Sequence, residues 1–284
     1  MSGIFDTHEV VNQAPPYRDI NLFTSDVPLC EAVVRECGNG AAQTLEEFGG
    51  LIGAGAVLHE GRLANEYPPV LHSFDASGNR VDLVEFHPAY HAFMARSMAQ
   101  GLHSLAWEHV PADVPPAPGR QVARFAGIYM MSQVEAGHVC PIVMTHAYTA
   151  PLLKVPELAK SWLPKILMRD YDGANLPMGQ KRSVTVGMGM TEKQGGTDVR
   201  ANTSRAEPVS GANGEYVLTG HKWFMSAPMC DGFMMLAQAP GGLSCFFVPR
   251  LLPDGSSNGL RLLRLKDKMG NRSNASCEVE FAGT

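Results

Sequence analysis

The sequence predicts an α+β protein, with a helical N-terminal domain followed by an antiparallel β-barrel or sandwich. Two textures carry that reading. Up to about Asp170, apolar residues recur at three- and four-residue spacing, as in Leu45, Phe48, Leu51 and Ile52, the period of a helix buried along one face. Beyond Asp170, short β-branched and aromatic runs are separated by Asn213-Gly214, Gly241-Gly242 and Asp254-Gly255, pairs that favour tight hairpins. A chain of 284 residues, 45% hydrophobic and 18% charged, is long enough for one or two cores.

Residues 1–27 contain Asn12, Pro15, Pro16 and Asp26 and predict an extended arm. Residues 28–176 form the helical domain, beginning with Leu29, Ala32 and Val33 on one stripe. A longer helix spans Phe86–His109, entered at His87-Pro88 and ended before Pro111, since proline fits a first turn and not an interior. Ala112–Gly119 reads as a loop, and Arg120–Ala136, Ile142–Leu153 and Pro156–Arg169 as further helices. The border falls near Asp172–Pro177. In residues 177–284, strands are expected at Ser183–Met190, Tyr216–Thr219, His221–Phe224, Phe233–Gln238, Ser244–Val248, Leu260–Leu265 and Cys277–Phe281. Nothing after the last of these would cover the sheet's outer face, so a further C-terminal part is expected.

A net charge of −5 argues against a strongly basic, phosphate-covering surface. The six cysteines form no CxxC pair and predict reduced, buried thiols. Without a secretory signal or a long uncharged apolar run, a soluble cytoplasmic protein is expected.

The segment Gly187–Asp198 is the most unusual in the chain. A strand runs into a loop with Gly195 and Gly196, lined by Thr191 and Thr197, and such exposed amides and hydroxyls suit a pyrophosphate or the polar edge of a flavin. A plain hairpin loop fits the same residues. The second feature is Gly220–Ser226. Strand alternation places Trp223 and Met225 on one face, and Phe224 and Ser226 on the other, where a ring and a hydroxyl could cover a flat cofactor. His87 and His91 have metal-capable spacing but lack a third ligand. Arg261, Arg264, Lys266, Lys268 and Arg272 make a modest basic stretch, read first as a solvated face and second as a site for a nucleotide tail or DNA backbone.

Both features resemble acyl-CoA dehydrogenases. Met190–Asp198 is similar to that family's TEPxxGSD signature, Gly220-x-Lys222-x-Phe224-x-Ser226 to its GxKxWITN strand, and Lys266–Ser276 to its KLG-R-S turn. MTEKQGGTDV, GHKWFMS, GGLSCFFVPR, LKDKMGNRSNASCEVEF and QVEAGHVCPI resemble its AidB, or adaptive-response, branch. The resemblance implies an FAD-binding oxidoreductase with cofactor contacts from Met188, Met190, Thr191, Gly195, Gly196, Thr197, Phe224, Met225 and Ser226. Phe224 takes the place of the family's tryptophan, and Trp223 would face into the barrel. Lys193-Gln194 and Phe224 depart from the family pattern and put ordinary acyl-CoA turnover in doubt. The resemblance implies no catalytic residue here, because the family's base lies in a C-terminal helical domain, and Glu192 belongs to the signature turn. It further implies an acyl-CoA thioester as substrate, a link to DNA alkylation damage, DNA contact through a basic C-terminal region, and a homo-oligomer, a tetramer. An alternative is a DNA-binding protective protein whose flavin is structural.

Overall fold

The computed structural model describes residues 4–5, 7–108, 118–212 and 214–284. The first arm residues, most of the loop at 112–119 and the turn residue Asn213 lie outside the described residues, and the helix expected over Phe86–His109 ends at Ala99, with turns over 100–107.

Among the described residues, seven α-helices precede the main sheet: α1 Val27–Cys37, α2 Asn39–Ile52, α3 Gly55–Glu66, α4 Pro88–Ala99, α5 Arg120–Val134, α6 Val139–Leu152 and α7 Pro156–Ile166. Asp26 caps α1 by accepting the Leu29 amide at 3.0 Å, with proline in the first turn. The helices close on a core of Val33, Phe48, Ile52, Phe93, Met98, Met130, Met131 and Ile142. The arm is not extended throughout. The Ile20 and Leu22 amides bond the Gly53 and Gly49 carbonyls, and Leu22 and Phe23 are buried. Gly49 permits this, since a Cβ there would sit 2.7 Å from the Phe23 nitrogen.

Between α3 and α4 lies a hairpin the sequence reading did not foresee, β1 Val70–Phe74 with β2 Arg80–Glu85. Its turn carries the expected chemistry, with Asp75 accepting from the Ser77 and Asn79 amides.

The β domain holds β3 Val186–Gly189, β4 Arg205–Pro208, β5 Tyr216–Ser226, β6 Gly232–Ala239, β7 Gly242–Pro249, β8 Leu260–Leu265 and β9 Ser276–Ala282. The two expected runs around Gly220 are one strand, β5, and β4 was not expected. Most pairings are antiparallel as predicted, but β6 runs parallel to both β3 and β4. The reason is topological: β3 and β4 point the same way and share one lane between β5 and β6. The residues joining them, Met190–Ser204, leave that lane as a long excursion. One sheet face encloses Met225, Phe233, Met235, Cys277, Val279 and Phe281. At the β3–β6 end, the other face is covered by α6 and α7 through Leu152, Trp162 and Ile166.

A buried polar knot joins the two domains. Glu135, just past α5, accepts from the Gly137 and His138 amides at 2.8 and 2.9 Å, His138 Nδ1 at 2.6 Å, Asn65 of α3 at 3.2 Å and Ser273 of the β8–β9 connection. His138 Nε2 lies 2.8 Å from Ser97 Oγ of α4. All of Ser97, Glu135, His138 and Ser273 are at most 2% exposed. Ser–His–Glu is a constellation used for nucleophilic catalysis elsewhere, but here no substrate could reach it.

Candidate functional site

The excursion Met190–Ser204 is held from its inside by Glu192. That carboxylate accepts from Lys222 Nζ at 3.0 Å, the Thr203 amide at 2.7 Å, the Thr203 hydroxyl at 2.9 Å, the Ser204 amide at 2.9 Å and Gln194 Nε2 at 2.6 Å. Both members of the Lys222–Glu192 pair have fully buried side chains. Burial pushes the Glu192 carboxyl up, but the hydrogen bonds from Ser204, Thr203 and Gln194 outweigh it and hold the group well below the usual carboxylate range. Glu192 is therefore a structural anchor, as its place in the signature turn implied. The loop is tied further by Trp223 N–H to the Thr191 carbonyl at 2.8 Å and by Asn202 Nδ2 to the Met190 carbonyl at 2.9 Å.

Beside the loop, the sheet presents an open row. Met188 on β3 stands opposite Ser226 on β5, and Ser226 opposite Ser276 on β9, so all three share a face. Met188 is 39% and Phe224 45% exposed, high for large apolar side chains. Tyr148 of α6 closes one side, donating its hydroxyl to Met188 Sδ at 3.0 Å.

Simple alternation fails within β5. In the pairing with β9, Lys222 aligns with Val279 and Met225 with Cys277, so Trp223 and Phe224 together oppose the single residue Glu278. This is a β-bulge. It turns Lys222 and Met225 inward, and it corrects the expected inward placement of Trp223. The Trp223 ring lies 3.0 Å from Lys266 Nζ, with Arg264 and Lys193 at 5.9 and 5.7 Å. Lys266 also reaches the Phe224 ring at 4.9 Å. Arg264 and Lys266 both donate to Glu278, at 2.6 and 2.8 Å, so one carboxylate offsets one of these two charges. Trp223 thus works as a clasp between loop and sheet. Trp223→Ala is expected to raise the rate of limited proteolysis within residues 190–204 several-fold while leaving the thermal midpoint nearly in place.

A model of the adaptive response protein AidB N-terminal domain matches residues 12–173, more than half of the chain. The chain belongs to the AidB family. A model of the acyl-CoA dehydrogenase middle domain matches residues 187–284, consistent with the two-domain division seen here. The AidB-family chain is 51% identical over 278 residues to AidB of Escherichia coli (strain K12), covering 98% of this chain and 50% of that protein. It is 28% identical over 257 residues to acyl-CoA dehydrogenase family member 11 of Caenorhabditis elegans, covering 85% and 39%. The crystal structure of C. elegans ACDH-11 in complex with C11-CoA superposes with a TM-score of 0.82 at 25% identity, covering 98% of this chain and 48% of that one. The chain therefore spans about half the length of the relatives it matches.

In AidB-family terms, the residues expected at the cofactor separate into groups. Met188, Phe224 and Ser226 meet on the open face. Thr191, Gly196 and Thr197 lie along the loop, where the amides and hydroxyls of Thr191 and Thr197 donate to no protein group among the described residues. Met225 is fully buried in the barrel core, which leaves only its backbone near the face, and Met190 packs partly under α6 and α7. Neither Gly195 nor Gly196 adopts a positive φ. Gly195 is instead needed for space, as a Cβ there would meet the Asp198 carbonyl oxygen at 3.0 Å. A tighter approach comes earlier, at Gly187 over Phe233 (2.8 Å), and Gly189 stands 3.1 Å from the Lys222 side chain.

Sequence reading placed Lys222 in the family motif without giving it a role, and it gave none to Ser276 or Tyr148. Of the three, Lys222 carried the clearest signal, its place in the Gly220-x-Lys222-x-Phe224-x-Ser226 motif. The two histidines at metal spacing have separate tasks: His87 caps α4 by accepting the Ala89 amide, and His91 bonds the Tyr171 hydroxyl at 2.9 Å. No group of three metal-capable side chains and no helix long and apolar enough to cross a membrane occurs among the described residues.

Proposed function

We propose that this AidB-family chain holds FAD, and that the protein containing it is an acyl-CoA dehydrogenase-like oxidoreductase of the adaptive-response type. One observation carries the reading: an open apolar row, Met188 and Phe224, with the Ser226 hydroxyl in it, lies beside a rigidly anchored loop of unpartnered donors. A flat heteroaromatic ring with a hydrogen-bonding edge fits that donor set. Met188, Phe224 and Ser226 would bear the ring, Thr191 and the backbone at Met190 its polar edge, and Gly196 and Thr197 the pyrophosphate.

A bound flavin supplies a hydride acceptor. The chain's own residues orient it: Tyr148 and Met188 limit its approach from α6, and the loop, locked by Glu192, keeps its donors in place without reorganisation. No residue of this face can serve as the base that removes a proton beside a thioester, since Glu192 is buried, ionised and fully engaged. The family's base belongs to a C-terminal helical domain.

The alternative reading, a DNA-binding protective protein, rests on the resemblance rather than on the basic stretch, where Arg264 and Lys266 are held by Glu278 and Trp223. Titrating the protein with FAD and following flavin fluorescence tests the main reading. The double variant Thr191→Ala/Ser226→Ala is expected to weaken binding at least tenfold with the fold unchanged by circular dichroism. Equal affinity in the double variant would count against this site. Turnover of short and medium acyl-CoA thioesters tests the activity separately.

A further inference from the structure

Lys268, in the β8–β9 connection, turns its ammonium toward the serines of the open face. Its Nζ donates to the Asn274 carbonyl and, at 3.2 Å, to Ser276 Oγ. Ser276 Oγ in turn lies 3.4 Å from Ser226 Oγ. Among the described residues no carboxylate pairs with Lys268, whereas its neighbours Arg264 and Lys266 share Glu278. The Cys140 thiol sits beside Ser226 and Asn274, and burial pushes its pKa up, so it stays neutral and supplies no counter-charge. The buried Asn274 Oδ1 has no partner either.

The order of donors follows from chemistry. A lysine ammonium can only donate, so Ser276 Oγ must accept from it. The Ser276 hydrogen is then free to bond Ser226 Oγ. With the Ser276 hydrogen given to Ser226 Oγ, the Ser226 hydrogen serves either the Cys140 sulfur beside it or a group lying on the face. The relay Lys268 to Ser276 to Ser226 leaves that hydrogen available to whatever lies on the face, backed by a half-buried positive charge without a partner.

We propose that Lys268 is a positioning residue for the cofactor: through Ser276 it keeps the Ser226 hydrogen available as a donor, and its charge favours the reduced flavin. This rests on the FAD reading above. Reduction brings two electrons and one proton to the ring as a hydride from the thioester, or as dithionite electrons with a solvent proton, and leaves one negative charge on the flavin. An unpaired cation close by stabilises that product more than the neutral oxidised ring.

The test is the two-electron potential of bound FAD, measured by dithionite reduction against a reference dye, together with FAD affinity. Lys268→Met is expected to bind oxidised FAD within about threefold of the unaltered protein but to lose about tenfold of its preference for reduced flavin, a fall of about 30 mV for a two-electron couple. Lys268→Arg should restore most of that loss. Ser276→Ala, which keeps the cation but breaks the relay, should lower the potential by a smaller amount and serves if Lys268→Met does not fold. An unchanged potential in Lys268→Met or, failing that protein, in Ser276→Ala would overturn the inference while leaving the flavin reading intact. Unaltered protein that takes up no FAD would overturn both.

Discussion

Glu192→Ala is expected to destabilise the protein by about 3–5 kcal/mol and to release the Met190–Ser204 loop from the sheet. The carboxylate is 1% exposed and satisfies Lys222, both Thr203 donors, the Ser204 amide and Gln194 at once. Its removal strands a fully buried ammonium and several amides, which is the costly side of a buried pair. That is a large share of a typical stability of about 5–15 kcal/mol. Equilibrium urea unfolding would measure it, and a loss under about 1 kcal/mol would refute the anchoring role. The double variant Glu192→Ala/Lys222→Met should recover much of the difference, because it removes the stranded charge. Proteolysis within residues 190–204 and loss of FAD uptake should accompany the single variant.

The domain junction should respond to acid before the rest of the protein. Burial pushes the Glu135 carboxyl up, but the hydrogen bonds from the His138 ring and amide and from Ser273 outweigh it and hold its pKa below the usual carboxylate value. A carboxyl depressed below its unfolded value of 4.5 adds stability that is fully present above pH 4.5 and is lost as pH falls toward 2. His138 works in the same direction. Burial lowers its pKa below 6.5, so the ring stays neutral in the fold and protonation on acidification favours the unfolded chain. A neutral ring that donates from Nδ1 to Glu135 and accepts at Nε2 from Ser97 fits both short contacts. Stability is thus expected to decline from about pH 6.5 downward, with a steeper fall below pH 4.5. Glu135→Gln should flatten the lower part of that curve and cost about 3 kcal/mol at pH 7, within the range for breaking a buried charged network. Urea midpoints across pH 3–8 would check it, and an unchanged pH profile in Glu135→Gln would refute it. Gly137 allows this knot to close, since a Cβ there would lie 1.8 Å from Ser273 Oγ.

Much of this was legible in order along the chain. Helical periodicity located α2, α5 and α7 to within a few residues because each hides an apolar stripe, and α6 was found as a longer apolar run that packs on all three cores. The strands β3 and β6 to β9 were found because their short apolar and aromatic runs are bounded by turn residues. The β1–β2 hairpin was overlooked, as its strands are short, mostly exposed and polar, and they are stabilised by packing beside β8 and Arg80 donating to the Leu262 carbonyl. The strand β4 is a short, mostly polar run whose place in the sheet comes from the lane it inherits from β3.

Local pattern, then, was enough to establish two domains in the right order and the two stretches that carry the site, since backbone period and turn chemistry act over a few residues. It could not establish which way Trp223 faces, that Lys222 and Glu192 neutralise each other in the interior, or that Glu135, His138, Ser97 and Ser273 lock the domains together. Those outcomes depend on a single extra residue in β5 relative to β9 and on partners distant in sequence. Their energies exist only once water has been excluded from both sides of the contact.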